Sequence, residues 1–268
     1  METTPRQLDT TDLEDRVRSM YEQVANFPHQ EFHFETGRAL AERLGYPAAG
    51  LDRIPSAAIE SFAGVGYFHD LAAIRPGETV LDLGSGSGMD SFLAALGAGH
   101  SGAVIGVDMT PAQVRKARAL AEVFAAQVSG VAEFPAAVDF REGRIEDPGV
   151  ADGSVDCVIS NGVINLVPDK ARVFEAAARA LKPGGRLVVA DIVSAVQLPD
   201  TVTCDASLWA ACIGGAMQQD SFLAALEDAG FRVEAVRPND EYRFLSSRAV
   251  KATSKYGVAS ISVAARRE

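Results

Sequence analysis

The stretch Val80-Leu-Asp-Leu-Gly-Ser-Gly-Ser-Gly88 constrains this chain more than any other. A short apolar run holds an acidic residue, then a loop in which every second residue is glycine. The segment Met89 to Leu96 that follows reads as helix. A strand that turns through glycines into a helix is a nucleotide-type binding device. Gly84, Gly86 and Gly88 allow a tight turn and a close approach of backbone to ligand. The first turn of the helix then offers unpaired N–H groups. On the glycines alone, an ordinary strand-to-helix turn also fits. Two carboxylates sharpen the reading. Asp82 lies inside the strand, and the run Val104-Ile-Gly-Val-Asp108 ends in an acid about twenty residues past the loop, where a carboxylate takes ribose hydroxyls. The spacing is G-x-G-x-G and lacks the third glycine of the pyrophosphate fingerprint. A ligand with a ribose and no pyrophosphate is therefore expected, not NAD or FAD.

From Thr79 the pattern alternates strand and helix. Strands are expected at Thr79–Leu83, Ala103–Val107, Val138–Arg141, Val155–Ser160 and Arg186–Asp191, and helices at Met89–Ala98, Pro111–Gln127 and Lys170–Leu181. Pro111 at a first helical position and Gly184 beyond Leu181 are start and stop signals. The series predicts a doubly wound α/β fold with a mostly parallel sheet, its ligand beyond the carboxyl ends of the strands. Residues 1–75 are expected to form a helical N-terminal cap and residues 76–268 the nucleotide-binding core. In the cap, Thr11-Asp-Leu-Glu14 has capping-box spacing and opens a helix to about Ala25. Beyond Asp191 the reading is a helix over Cys204–Ala216, a second over Gln219–Ala229, and strands at Arg232–Arg237 and Gly257–Ala264. The link 238–256 fits either a helix or a substrate loop.

Three stretches, Asp82-Leu-Gly-Ser-Gly-Ser-Gly88, Gly106-Val-Asp-Met109 and Leu181-Lys-Pro-Gly-Gly-Arg186, resemble the class I S-adenosylmethionine (SAM) methyltransferases. Ser160-Asn-Gly-Val-Ile-Asn-Leu166, Pro168-Asp-Lys170 and Ala211-Cys-Ile-Gly-Gly-Ala216 are similar to the arsenite methyltransferase branch. The resemblance runs from about Pro76 to about Phe231. It implies a seven-stranded sheet finished by an antiparallel pair, SAM as cofactor, and methyl transfer as the reaction. SAM presents an adenosine, a sulfonium and an amino-acid tail. Asp108 suits the ribose hydroxyls, Met109 and Ile145 an apolar adenine slot, and Glu146 the exocyclic amine. Gly84, Ser85, Gly86 and Gly88 bring backbone to the methionine end. Asp82 is placed to hold the ammonium or steady the loop, and Asn161 to reach the sulfonium region. As in similar enzymes, the N-terminal helix is expected to lid the pocket with Tyr21 toward the methionine part. The alternatives are plain: Tyr21 as an amphipathic-face aromatic, Glu146 as a solvated carboxylate, Asn161 as a turn residue.

The acceptor is less legible. Arsenite methyltransferases hold As(III) with several cysteine thiolates. Where the family has cysteine after the asparagine, this chain has Gly162, and the segment Phe62-Ala-Gly-Val-Gly66 has none either; Cys212 alone keeps its place. Cys157 lies in an apolar strand and reads as a core thiol. A small organic acceptor is therefore the first expectation, arsenite the second, and a SAM-binding protein without catalysis the third. Residues 28–75 hold most of the aromatics before the core, with His29, His33 and His69. If the acceptor keeps a proton at neutral pH, His69, His33 or His29 is the candidate base, and Cys212 the candidate acceptor-side thiol. No metal cluster is expected.

The formal net charge is −11 with no basic run, which argues against nucleic acid as a partner. No stretch of roughly eighteen apolar residues suggests a membrane span. The polar start and three cysteines without a C-x-x-C pattern favour a reduced, cytoplasmic setting. Oligomeric state has no signal.

Overall fold

The computed structural model describes residues 8–127, 135–205, 208–209 and 213–268. Among the described residues, five helices precede the sheet: α1 (Thr10–Asn26), α2 (Arg38–Leu44), α3 (Ala48–Leu51), α4 (Ser56–Glu60) and α5 (His69–Ala72). The core then alternates through β1 (Thr79–Leu83), α6 (Met89–Ala98), β2 (Ala103–Asp108), α7 (Pro111–Gln127), β3 (Ala137–Glu142), β4 (Val155–Asn161), α8 (Lys170–Ala180) and β5 (Leu181–Ser194). It closes with α9 (Asp200–Thr203), β6 (Met217–Gln218), α10 (Gln219–Asp228), β7 (Phe231–Pro238), α11 (Ser247–Tyr256) and β8 (Ala259–Arg267).

The sheet runs β3-β2-β1-β4-β5-β8-β7. The first five strands are parallel, and β8 lies antiparallel between β5 and β7. These are the seven strands expected; two-residue β6 adds a short parallel pairing at Val193 and Ser194. Val80, Leu81 and Leu83 of β1 are wholly buried because helices cover both faces of a parallel sheet. One apolar cluster joins Leu13 and Val17 of the first helix to Val80, Val104 and Ile159 of the sheet.

Local signals fail in three places. Asp9, not Thr11, caps α1: its carboxylate accepts from the backbone N–H of Thr11 and Asp12, both at 3.1 Å. The capping box is unavailable because Glu14 is engaged elsewhere. Helix α8 stops at Ala180, and the Lys182-Pro-Gly-Gly185 stretch becomes an irregularity in the strand: Val155 pairs with Leu181, but Cys157 pairs with Arg186. The helix expected over Cys204–Ala216 is not continuous. Helix α9 ends at Thr203 and a turn forms over 213–215, while residues 206–207 and 210–212 of the expected helix lie outside the described residues. A Cβ on Gly215 would lie 1.7 Å from the Asn165 carbonyl, so this turn demands glycine. The link 238–256 contains a helix, capped by Ser246, whose hydroxyl accepts from the Ala249 N–H at 3.1 Å.

Candidate active site

Adjacent strands β1, β2 and β4 place Asp82, Asp108 and Asn161 at one edge of the sheet. The glycine loop between β1 and α6 is pinned from below: Gly84 and Ser85 donate their N–H groups to the Val107 carbonyl at 2.8 and 3.0 Å. Gly86 N–H donates to Asp108 Oδ2 at 2.9 Å, and Thr110 N–H to Oδ1 at 2.8 Å. Burial pushes the Asp108 carboxyl up in pKa, and these two amides oppose the shift. Over this loop opens a cleft walled by the cap, the glycine loop and the ends of β2 and β4.

Ten of the expected residues line the cleft: Tyr21, Asp82, Gly84, Ser85, Gly86, Asp108, Met109, Ile145, Glu146 and Asn161. Gly88 does not. It starts α6 at φ +96°, where a Cβ would meet the Phe140 ring at 2.6 Å. His69 also lies outside the lining, behind Asp90, with Nε2 2.8 Å from Asp90 Oδ1. Cys212 lies outside the described residues.

Two features fit a bound SAM. The Ser85 hydroxyl is buried in the wall with no protein partner. A Cβ on Gly86 would meet nothing within 4 Å, so the loop's outer side is open. The Asp82 carboxyl, wholly buried, accepts from the Ser91 hydroxyl at 2.6 Å. Burial and then the nearby Asp90 raise its pKa to about 8. A cation beside it would favour the ionised form. Glu146 accepts from Arg144 at 3.0 Å at the far end of the cleft.

The wall that faces Asp82 is organised by a residue the sequence reading missed. Asp90, in the first turn of α6, accepts from the Tyr46 hydroxyl at 2.7 Å on Oδ1, where His69 also binds. Its Oδ2 accepts from the Asn161 amide at 3.0 Å. Burial, with Asp90 close by, raises the Tyr46 pKa well above its ordinary value, so the phenol stays a donor. The Asn161 amide also donates to the Gly66 carbonyl at 3.0 Å, and its oxygen accepts from Val65 N–H at 2.8 Å. The 64–66 loop is thereby fixed against the end of β4. There, a Cβ on Gly162 would stand 3.1 Å from Val65 Cγ1. The 64–66 loop and the end of β4 thus meet in an apolar contact. Cys157 is fully buried within β4, and burial raises its thiol pKa to about 12, so it is no ligand.

The first helix covers the cleft. Gln113 of α7 joins it to the glycine loop, accepting from the Ser87 hydroxyl and donating to the Tyr21 carbonyl at 3.1 Å. Lys116 donates to the Ala25 carbonyl at 3.1 Å and to the Ser61 hydroxyl at 2.7 Å. The Tyr21 ring stacks on Phe34 at 6.0 Å. Among the described residues, no group of three or more His, Cys, Asp or Glu is arranged to hold a metal ion, and no helix is long and apolar enough to cross a membrane.

Residues 74–230 match the methyltransferase domain family. An arsenite methyltransferase of Halobacterium salinarum is 45% identical over 210 residues, which is 77% of this chain and 50% of the relative. The chain spans about half the length of the curated relatives it matches. An arsenic(III) SAM methyltransferase from Chlamydomonas reinhardtii superposes with a TM-score of 0.63 at 31% identity, over 86% of this chain and 73% of that one. A geranyl diphosphate C-methyltransferase from Streptomyces coelicolor A3(2) reaches 0.67 over 98% of this chain and 100% of that one, and at 17% identity it speaks to the fold alone.

Proposed function

This chain belongs to the methyltransferase domain family and uses SAM, and from that premise we propose that it methylates a small acceptor held against Asn161, Val163 and Leu166. The observation that carries this is the glycine loop flanked by Asp82 and Asp108, with the Ser85 hydroxyl unpartnered in the cleft wall. SAM supplies an electrophilic methyl group on a sulfonium. Asp108 takes the ribose hydroxyls, Met109 and Ile145 flank the adenine, and Glu146 accepts its amine. Asp82 holds the ammonium. The cap helix, with Tyr21, excludes water from the reacting atoms, and positioning supplies much of the acceleration.

For the acceptor, the relatives support trivalent arsenic more strongly than the small organic molecule expected from the sequence. As(III) brings its own lone pair and needs no base. In this reading Cys212 supplies one thiolate, and small thiols in solution supply the others. A second reading, an organic acceptor, is favoured by one observation: Val65 packs at Gly162, where a soft metalloid would need sulfur. The test is S-adenosylhomocysteine (SAH) release from SAM with arsenite and excess thiol. The first reading expects arsenite-dependent release that disappears in Cys212→Ser. No release from a protein that still binds SAM rejects arsenic and turns the search to phenols, enols and amines.

A further inference from the structure

Arg144 lies in the turn after β3, where it bridges to Asp147 in backbone pairing. The sequence motif Gly143-Arg-Ile-Glu146 contains it, but the adenine slot uses only its neighbours. Its guanidinium makes a fork with Glu14 of the first helix: Nη1 to Oε2 and Nη2 to Oε1, both 2.8 Å. Nη2 also reaches Glu146 Oε1 at 3.0 Å. All three side chains line the cleft. The partners are 130 residues apart in sequence, so this contact exists only when helix α1 lies on the cleft wall. Glu14, Val17 and Tyr21 fall on one face of that helix, and all three line the cleft.

The fastenings of this helix divide. Its C-terminal half is held by Gln113 at the Tyr21 carbonyl and Lys116 at the Ala25 carbonyl. Its N-terminal half is seated by buried Leu13 and Val17 and meets the cleft rim through the polar pair Glu14 and Arg144. A two-point Arg–carboxylate fork fixes orientation as well as distance. Arg144 holds the Glu14 carboxyl below its ordinary pKa range, so the pair is ionised at neutral pH.

Resting on the SAM reading above, we infer that Arg144 is a positioning residue that aims Glu146 at the adenine and fastens the helix over it, and so sets how long the cofactor stays bound. It touches no reacting atom. Its Glu14 partner lies on the cap and its Glu146 partner on the adenine wall, so one guanidinium joins lid and floor at the adenine end. The Arg144 side chain is about half exposed, so salt weakens the fork.

The test is the SAH dissociation rate by stopped flow, in wild type, Glu14→Gln, Arg144→Met and Arg144→Lys. Glu14→Gln and Arg144→Met are expected to raise the rate about two- to fivefold, as suits an exposed fork. Arg144→Lys should fall between them and wild type, since lysine keeps the charge without the fork. The wild-type rate should climb as salt rises from about 0.1 M to about 1 M, where the screening length shrinks from about 10 Å to about 3 Å. The Glu14→Gln rate should stay nearly flat, which a merely structural role for these side chains would not produce. Unchanged rates in both neutral variants, or the same salt slope in wild type and Glu14→Gln, overturn the inference. A folded wild type that binds neither SAM nor SAH overturns the cofactor reading first, and the inference with it.

Discussion

Gly84→Ala is expected to cost about 2–4 kcal/mol of stability and to abolish SAM binding. Gly84 has φ +78°, in the left-handed region that favours glycine. A Cβ there would stand 2.4 Å from Val163 Cγ2, 2.6 Å from Cγ1 and 2.8 Å from Cβ. Val163 offers no soft end to yield, because it follows directly on the turn that ends β4. The loop or the 163–166 turn must shift, and both line the cleft. Gly86→Ala is the control. Its φ is +53°, but its Cβ would meet nothing within 4 Å, so its stability cost is about 1 kcal/mol. Its methyl group would enter the open side of the loop, so SAM affinity should fall while the fold survives. Thermal melts and calorimetric titration separate the two variants. Equal melting losses for both would sink the steric account of Gly84.

Asp82→Asn is expected to raise the stability of the ligand-free protein at pH 8 and leave it nearly unchanged near pH 4. The folded-state pKa of Asp82 is about 8, against an ordinary 3.8, because burial and then Asp90 disfavour its charge. Between those values the folded chain keeps a proton that the unfolded chain releases. Wild-type stability must therefore fall as pH rises from about 4 to about 8. Asparagine carries no proton to lose and removes this contribution. The shift corresponds nominally to about 5–6 kcal/mol, and even a third of it, about 2 kcal/mol at pH 8, corresponds to roughly 4–8 °C in melting temperature for a chain of this size. The same substitution should weaken SAM binding, since the ammonium loses its carboxylate. In wild type, SAM affinity should rise from pH 6 to pH 8, and binding should release protons to the buffer. A melting difference that is flat with pH would contradict a buried, proton-holding Asp82.

The elements nearest the cleft were legible because each carries a local cause. The limits of β1 and α6 and the start of α7 coincide with their expected ranges. An apolar run bounded by glycine, and a helix opened by proline, state their own ends. Asp82 and Asp108 were legible for the same reason, each tied to a strand end within the motif. The hub at Asp90 was not. Its partners Tyr46 and Asn161 lie 44 and 71 residues away, and no spacing rule joins a tyrosine of the cap to the first turn of α6. A carboxylate two residues past the last glycine was the signal available. His69 was singled out as a base by its type, yet its partner places it behind the wall of the cleft rather than in it. Arg144 was passed over because its meaning depends on Glu14, 130 residues away in the chain. The turn over 213–215 was misread because Gly215 answers a close approach to Asn165 and Gly214 one to Trp209, which composition does not reveal.

The most direct test of the account is a calorimetric titration of the folded protein with SAM, beside the same titration of Asp108→Ala and a titration with NAD. The account predicts saturable SAM binding, no NAD binding, and a loss of roughly 1–3 kcal/mol in the variant, because the ribose loses its acceptor. Undiminished SAM affinity in Asp108→Ala would refute the ribose assignment. NAD binding with no SAM binding, in a protein that melts cooperatively, would contradict the account at its centre.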